Sequence, residues 1–484
     1  MQNPIDKYEI VIGLEVHVQL KTKSKAFCSD STTFGAEPNT QISPISLGHP
    51  GTLPKANIQQ IKSAVKLGLA LGCTINRHNR FDRKNYFYAD LPKGYQITQD
   101  EHPICLGGGL NIPVNGKKKF IALTRIHMEE DAGKSIHDID PKHSMIDLNR
   151  AGVPLLEVVT EPDLRSADEA HAFLNEMRKI VRYLDVSDGN MEEGSLRCDC
   201  NVSVRLKGEQ TYGTRCEIKN VNSMRNAKRA ITYEANRQIK LLEAGQSVDQ
   251  ETRSFDAAKG HTNNVLRTKE DAHDYRYFPD PDLPGIELSE SFIEAIKSTI
   301  PELPEAVEQN LIAKYGLGLK DASIIAEDRM LTSYFKEMVE AIDKAKPSAN
   351  WLVNTVRAYL NEQGISIVQF PVRANSMAEL VDLVDTKKVT KLLATKQLFP
   401  ALIASPGESV QAIATRLNLF QEADDDNLSN YIQMALEKYP DKVEAYRRGK
   451  KGVLGLFMGE VMKISRGKAD PNLANKLLRE KLES

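Results

Sequence analysis

The sequence predicts a multidomain chain: an α+β region with a mainly antiparallel sheet, then a helical region, then a small all-α tail. Three observations carry this prediction. The chain has 484 residues, too many for one core, and a length of that order implies roughly two to four domains. Up to about residue 290, Gly, Pro, Asn and period-two alternation are frequent, as in turn-rich β structure. Beyond that point helical spacing dominates. Pro301 and Pro304 punctuate the change, and Ser405–Gly407 marks a second boundary. The expected domains are 1–292, 293–405 and 406–484.

The elements follow in order. In Tyr8–Leu20, the residues Leu14, Val16, Val18 and Leu20 alternate with Glu15, His17 and Gln19. Period two sends the two sets to opposite faces of a strand, so Glu15 and His17 project side by side. Ser166 and Glu169 fit a capping box. Phe173, Leu174, Met177, Ile180, Val181 and Leu184 then recur at helical spacing. From Ser195 to Arg205, Leu196, Cys198, Cys200, Val202 and Val204 share one face, opposite Arg197, Asp199, Asn201, Ser203 and Arg205. After a turn at Lys207–Gly208, Cys216 and Ile218 alternate with Arg215, Glu217 and Lys219. The two segments predict an antiparallel hairpin with one buried and one charged face. Downstream, 292–299, 307–315 and 349–360 read as helices.

Composition narrows the class. Lys and Arg total 64 against 66 Asp and Glu, a net charge of −2, which argues against a uniformly basic nucleic-acid binder. Mean hydropathy is −0.40, and no apolar run reaches the roughly 18 residues of a membrane span. The start lacks the basic and apolar regions of a signal peptide. The six cysteines are sparse and scattered, unlike a disulfide framework. A cytoplasmic location is the expectation.

The carboxylates are the most informative groups. Glu15 and His17 share a face. Glu129, Glu130 and Asp131 follow the strand-like run 123–128. Glu157 interrupts the apolar segment Val153–Val159, and an acid there needs a partner because an unpaired buried charge is costly. Converging acidic strand ends suit Mg²⁺, which takes one or two carboxylates plus phosphates and waters. Salt bridges to Arg125, Arg150 or Lys134 are the other reading.

Other local motifs carry less. Gly133–Ser135 resembles the end of a P-loop, but Met128 stands where its first Gly is needed. Gly107–Gly109 reads as a hairpin turn. Cys198 and Cys200 fall on the apolar face and read as core. Asp82–Tyr88 and Asp274–Pro279 are dense in charged and aromatic residues. Such clusters stack on bases and clamp phosphates, or pack a domain through cation–π contacts.

The last 44 residues hold eleven Lys and Arg against six Asp and Glu, a net +5, which leaves −7 for residues 1–440. Basic clusters flank the apolar segment Val453–Ile464. A small helical module with basic loops fits nucleic-acid phosphates; a solvated surface is the other reading.

Longer motifs carry a resemblance. Residues 146–160 (IDLNRAGVPLLEVVT) resemble the signature of the GatB family, the B subunits of glutamyl-tRNA(Gln)/aspartyl-tRNA(Asn) amidotransferase. Ile12–Val18, Phe34–Asn39, Asp82–Tyr88, His127–Ser135, Met191–Arg197 and Asp274–Pro279 also resemble it, in the family's order. Asn350–Leu352 and the basic tail extend the match. The resemblance implies a kinase-like cradle domain, a helical domain and a tail related to the YqeY family. It implies a ligase that forms carbon–nitrogen bonds with glutamine as amido donor. ATP and Mg²⁺ would serve to phosphorylate the side-chain carboxylate of Glu-tRNA(Gln) or Asp-tRNA(Asn). Ammonia from a partner amidase would then displace phosphate through a tunnel, with a small third protein completing a heterotrimer. A non-catalytic protein that only delivers tRNA is the alternative. The archaeal-type E subunit carries a large insertion that this chain lacks.

The resemblance places Glu15, His17, Glu130 and Glu157 around Mg²⁺ as metal and catalytic residues. Arg197, Asp199 and Lys219, on the charged hairpin face, are candidate contacts to ATP or the aminoacyl end. Arg447, Arg448, Lys450, Lys451, Arg466 and Lys468 are the candidate tRNA-binding residues of the tail. Relatives carry a four-cysteine zinc set in the stretch aligned with 28–46. Here Cys28 remains, while Asp30, Ser43 and Ser46 stand in the other positions, so no structural zinc is expected.

Overall fold

Ile12, Leu14, Val16 and Val18 are buried while Glu15 and His17 lie on the opposite face of strand β1, Tyr8–Gln19, as alternation requires. The computed structural model describes residues 4–221, 223–268, 272–421, 425–465 and 467–483. The chain forms two compact units, Met1–Leu303 and Pro304–Ser484.

The first unit is built on a ten-stranded sheet. After β1 come β2 (Thr74–Ile75), β3 (Cys105–Leu106), β4 (Gly109–Val114), β5 (Lys117–Glu130) and β6 (Pro154–Thr160). They are followed by β7 (Leu196–Leu206), β8 (Cys216–Val221), β9 (Glu251–Asp256) and β10 (His261–Thr268). The order is β10-β9-β8-β7-β1-β6-β5-β3-β2, with β4 also paired to β5. Every pairing is antiparallel except β8–β9. The expected hairpin is β7–β8, with a bulge between Cys198 and Cys200. Both cysteines lie in the core, as their place on the apolar face predicts.

Helices α1 (Ile58–Ala70), α2 (Ala167–Tyr183) and α3 (Met224–Glu243) bury the apolar face of the sheet. Ser166 Oγ accepts from the Glu169 amide at 3.1 Å. The Glu169 carboxylate instead accepts from the Arg165 amide, so only half of the expected capping box forms. Phe173, Leu174, Met177, Val181 and Leu184 are buried in the core.

The Gly107–Gly109 turn is not a hairpin between paired neighbours. It links β3 to β4, and both segments run along β5. A Cβ at Gly108 would sit 2.6 Å from the Leu71 carbonyl oxygen, so this position requires glycine.

Gly68, inside α1, lies against the edge of the sheet. A methyl there would collide with Cys105 Sγ and crowd Ile75. Ala normally favours a helix over Gly by about 1 kcal/mol, but overpacking a core costs about 1–3 kcal/mol. Gly68→Ala should therefore lower stability in chemical denaturation, and adding Cys105→Ala should recover part of the loss. A Gly68→Ala protein as stable as the wild type would contradict this.

The second unit is helical. It begins with Pro304–Tyr315, Leu319–Ile325 and Arg329–Ile342. Ala345–Trp351 and Arg357–Gln363 then run on through a π turn at Leu352–Val356. The chain turns at 405–407 before Val410–Arg416. The last helices, Asp425–Lys438, Pro440–Arg447, Leu454–Ile464 and Pro471–Glu483, enclose a core that includes Ile432, Tyr446, Phe457, Val461 and Leu478. Among the described residues no helix is long and apolar enough to cross a membrane.

Candidate functional site

The polar face of the sheet gathers ionisable groups by strand register. Cross-strand neighbours form one row, Arg197–His17–Glu157–His127. The next row is Asp199–Glu15–Val159–Arg125. Glu129 stands beyond His127 on the same face of β5, beside Leu155 of β6. These residues line a cavity of about 630 Å³.

Among the described residues, two groups of three side chains have possible ligand atoms within 4.8 Å of one another: His17, Glu129 and Glu157, and Glu15, Asp199 and Glu217. In the first, Glu157 lies between two imidazoles, 3.4 Å from His17 Nε2 and 3.3 Å from His127 Nε2. Burial alone would raise its pKa, but the two histidines hold it well below the usual carboxylate range. His17 is also 3.6 Å from Glu129. Burial opposes its charge, but Glu157 and Glu129 outweigh that and raise it to about 9. Glu129 is raised by burial and by the Glu157 charge.

In the second group, Asn201 Nδ2 donates to Glu15 at 2.9 Å. The Thr252 hydroxyl donates to Glu217 at 2.7 Å. Lys219 Nζ bridges Asp199 at 3.1 Å and Glu217 at 2.9 Å. Glu15 is nevertheless pushed up to about 7 by burial and by Glu157, Asp199 and Glu217. Here negative charge exceeds what Lys219 neutralises. Oxygen ligands with surplus negative charge fit a hard divalent cation, whereas the imidazole-bearing group also suits transition metals.

The predicted residues divide accordingly. Glu15, His17, Glu157, Arg197, Asp199 and Lys219 all line the cavity. Arg197 is salt-bridged to Asp131 at 2.7 Å. Glu130, expected beside them, belongs to neither group. It follows the parity of Met128, is 3% exposed and pairs with Lys93 while accepting the Ile97 amide at 3.0 Å. It lines a separate cavity of about 240 Å³ with Lys25 and Phe27. Glu129, its neighbour in the chain, is the residue grouped with His17 and Glu157. His127 and Glu217 are further site residues that sequence reasoning left out. Alternation with Ile126 and Met128 could have found His127 and Glu129, since both of those apolar residues are buried in the core.

The Cys28 neighbourhood holds one thiol. Its Sγ is 3.5 Å from Ser46 Oγ, and Ser46 donates to Asp30. The buried Lys25 ammonium lies 4.0 Å from Asp30 and donates to the Gln41 carbonyl at 2.7 Å. Burial pushes the Cys28 thiol up, away from the thiolate that binds metal.

In the tail, Arg447, Arg448, Lys450 and Lys451 are exposed at the end of Pro440–Arg447 and in the turn that follows. Lys451 lies 4.0 Å from the Tyr446 ring centroid. Lys468 is half-buried. Arg466 lies outside the described residues.

Comparison with known proteins adds the family. Residues 10–294 match the GatB/GatE catalytic domain, and residues 333–482 match the GatB domain that bears the YqeY name. The chain is similar to the B subunit of the aspartyl/glutamyl-tRNA(Asn/Gln) amidotransferase of Caldicellulosiruptor saccharolyticus, 47% identical over 99% of both chains. The protein of that name from Thermodesulfovibrio yellowstonii is 47% identical over 98% of both. That from Moorella thermoacetica is 48% identical over 98% of this chain and 100% of its own. With both domains matched in order and relatives aligned end to end, the chain belongs to the GatB family.

Proposed function

We propose that the first unit is a kinase-like cradle. It transfers the γ-phosphoryl group of ATP to the side-chain carboxylate of Glu-tRNA(Gln) or Asp-tRNA(Asn). Ammonia released from glutamine by a partner amidase then displaces phosphate. The products are Gln-tRNA(Gln) or Asn-tRNA(Asn), ADP, phosphate and the glutamate left from glutamine. The observation that carries this reading is the polar sheet face, where two acidic groups share a cavity with Lys84, Arg125, Arg197 and Lys219.

Phosphoryl transfer asks a protein for positioning and charge neutralisation more than covalent help. Glu15, Asp199 and Glu217 would hold Mg²⁺, with His17, Glu129 and Glu157 offering a second position. A bound cation would neutralise phosphate charge. Lys219 and Arg197 supply fixed positive charge at the cavity wall, and Asn201 and Thr252 orient Glu15 and Glu217. The amidase and a small third protein complete a cytoplasmic heterotrimer. A structural zinc is no part of this reading, because Cys28 has no second thiol among Asp30, Ser43 and Ser46.

The test is incubation of the assembled complex with each misacylated tRNA, ATP and glutamine, with the two amide products assayed separately. Product should appear only with ATP. Equal product without ATP would overturn the reading.

Residues 1–292 are assigned to the cradle, 293–405 to a helical domain and 406–484 to a YqeY-like tail that contacts tRNA. Arg448 is 80% exposed at its side chain, and Lys450 is exposed beside it. Arg448→Ala with Lys450→Ala should weaken tRNA binding about tenfold at moderate salt. It should also reduce the slope of log K against log salt by about 1 per phosphate contact removed. An unchanged slope would remove the tail from the tRNA interface.

A further inference from the structure

At its far end β5 loses its neighbour on one side. β3 pairs with it only at Arg125 and Ile126, and among the described residues no strand continues along that edge to Glu130. Met128 and Glu130 are buried, and backbone groups on a buried edge need partners. Glutamine side chains supply them. Gln99 Oε1 accepts from the Met128 amide at 3.0 Å. Gln96 Nε2 donates to the Glu130 carbonyl at 2.7 Å. Gln60, on α1, donates through Nε2 to the carbonyls of Glu129 at 2.8 Å and of Leu155 at 3.2 Å. All three glutamines are buried.

Gln96 does more than close an edge. It stands on the strand Tyr95–Thr98, which pairs with Asp82–Asn85 and divides two cavities. Gln96 and Thr98 line the large one, and Tyr95 and Ile97 line the small one, as period two requires. β5 ends in the same way, with Glu129 on the first cavity and Glu130 on the second. The Gln96 Nε2 that holds the Glu130 carbonyl also donates to Glu129 Oε2 at 3.2 Å. That oxygen is 3.9 Å from His127 Nε2, while Oε1 is turned to His17 Nε2 at 3.6 Å. One amide therefore ties the Glu129 carboxylate to the backbone of the next residue. The last torsion of an unrestrained glutamate is broad; here the hydrogen bond narrows it. Gln99 makes no such contact. Its side chain bonds to Asn79, the Arg80 carbonyl and the amides of Ile104 and Met128.

We propose that Gln96 is a positioning residue that holds the Glu129 carboxylate in the orientation a divalent cation beside His17 and Glu157 requires. Partners of this kind orient a ligand before the ion arrives, and their loss typically costs about 10–100-fold in metal affinity. The inference rests on the cation position given above to His17, Glu129 and Glu157, and deepens it. Gln96 touches the ligand and not the ion. Its loss therefore raises the cation concentration the site needs and leaves the chemistry of the filled site in place.

The test uses the full chain in its complex, with Mn²⁺ alone as the probe and electron paramagnetic resonance as the readout. Coupling to an imidazole nitrogen marks the ion held with His17. Gln96→Met keeps the length of the side chain and removes its donor, and it should weaken this ion by about tenfold or more. In amidation assays the half-saturating Mg²⁺ concentration should rise by a similar factor, while kcat at saturating Mg²⁺ recovers to within about threefold of the wild type. Gln99→Met also removes a backbone hydrogen bond. It should lower the melting temperature in EDTA as Gln96→Met does, yet leave Mn²⁺ affinity within about twofold. If Gln96→Met does not fold, Gln96→Asn, one methylene short of its two acceptors, should show the same pattern with a loss of about threefold or more. Unchanged Mn²⁺ affinity in the Gln96 variant, or an equal loss in the Gln99 variant, would overturn the positioning role and leave the cation position standing. A wild-type complex whose bound Mn²⁺ shows no imidazole coupling, or that binds no Mn²⁺, would defeat the cation position itself.

Discussion

Glu157→Gln should lower ATP-dependent amidation by about 10²–10³-fold, or roughly 3–4 kcal/mol of barrier. The substitution keeps the shape of the side chain and removes one charge. That charge lies within 3.4 Å of two imidazole nitrogens and belongs to one of the two groups proposed to hold a cation. His17 would keep Glu129 as a neighbouring anion, 3.6 Å away, and its pKa should fall from about 9. Two measurements separate the loss of a ligand from loss of folding. Mn²⁺ affinity should drop by at least tenfold in the variant, and excess Mg²⁺ should recover part of the rate. Glu130→Gln provides the contrast, because that carboxylate is bonded to Lys93 and the Ile97 amide in the other cavity. Its Mn²⁺ affinity should stay within about twofold of the wild type. A Glu157→Gln complex that amidates at the wild-type rate would remove this carboxylate from the chemistry.

Glu15→Gln should have opposite effects on activity and stability. Activity should fall about 10²-fold or more with the loss of one oxygen ligand. Stability without divalent cation should rise by roughly 2–3 kcal/mol above pH 7. The folded pKa of Glu15 is raised from 4.5 to about 7. Between those values the folded protein binds more protons at this site than the unfolded chain, so stability falls as pH rises through the window and does not return above it. His17 acts in the same direction. Its folded pKa of about 9 lies above the ordinary value of 6.5, so its contribution is complete below 6.5 and is lost as pH rises through 9. Glu157 acts oppositely: its depressed pKa gives stability that is present above 4.5 and lost only in acid. Glutamine at position 15 carries no charge and still accepts from Asn201. Melting curves in EDTA at pH 8 and pH 4.5 should show the variant gaining at the first pH and little at the second. Mg²⁺ should stabilise the wild type more than the variant. A variant less stable at pH 8 would show that the Glu15 charge is well compensated.

Much of this was legible from alternation alone. The polar faces of Tyr8–Gln19 and Leu196–Leu206 assigned Glu15, His17, Arg197 and Asp199 to one side before any pairing was known. Motif resemblance groups Glu130 with Glu15, His17 and Glu157, whereas parity with Met128 turns it to the other face of its strand, where it is buried beside Lys93. The same rule sends Glu129 to the polar side with His127. Strand order was not legible: nothing local to Glu157 says that β6 lies beside β1. The meeting of the two charged, aromatic motifs was equally hidden, because Asp82–Tyr88 and Asp274–Pro279 join through the pairing of Arg83 with Phe278, and long-range pairing leaves no period in the sequence.

The row structure of the sheet face behaves like a reading frame. Each functional group is specified by its residue type and by its phase along a strand. A one-residue insertion within Tyr8–Gln19 would turn Val16 and Val18 toward the charged cavity downstream of the change and drive His17 into the core. A two-residue insertion keeps the phase but moves His17 about 6.7 Å along the strand, away from Glu157. Length variation should therefore be confined to the connections between these strands, and the spacing of Glu15 and His17 should be less free to vary than the apolar residues beneath them.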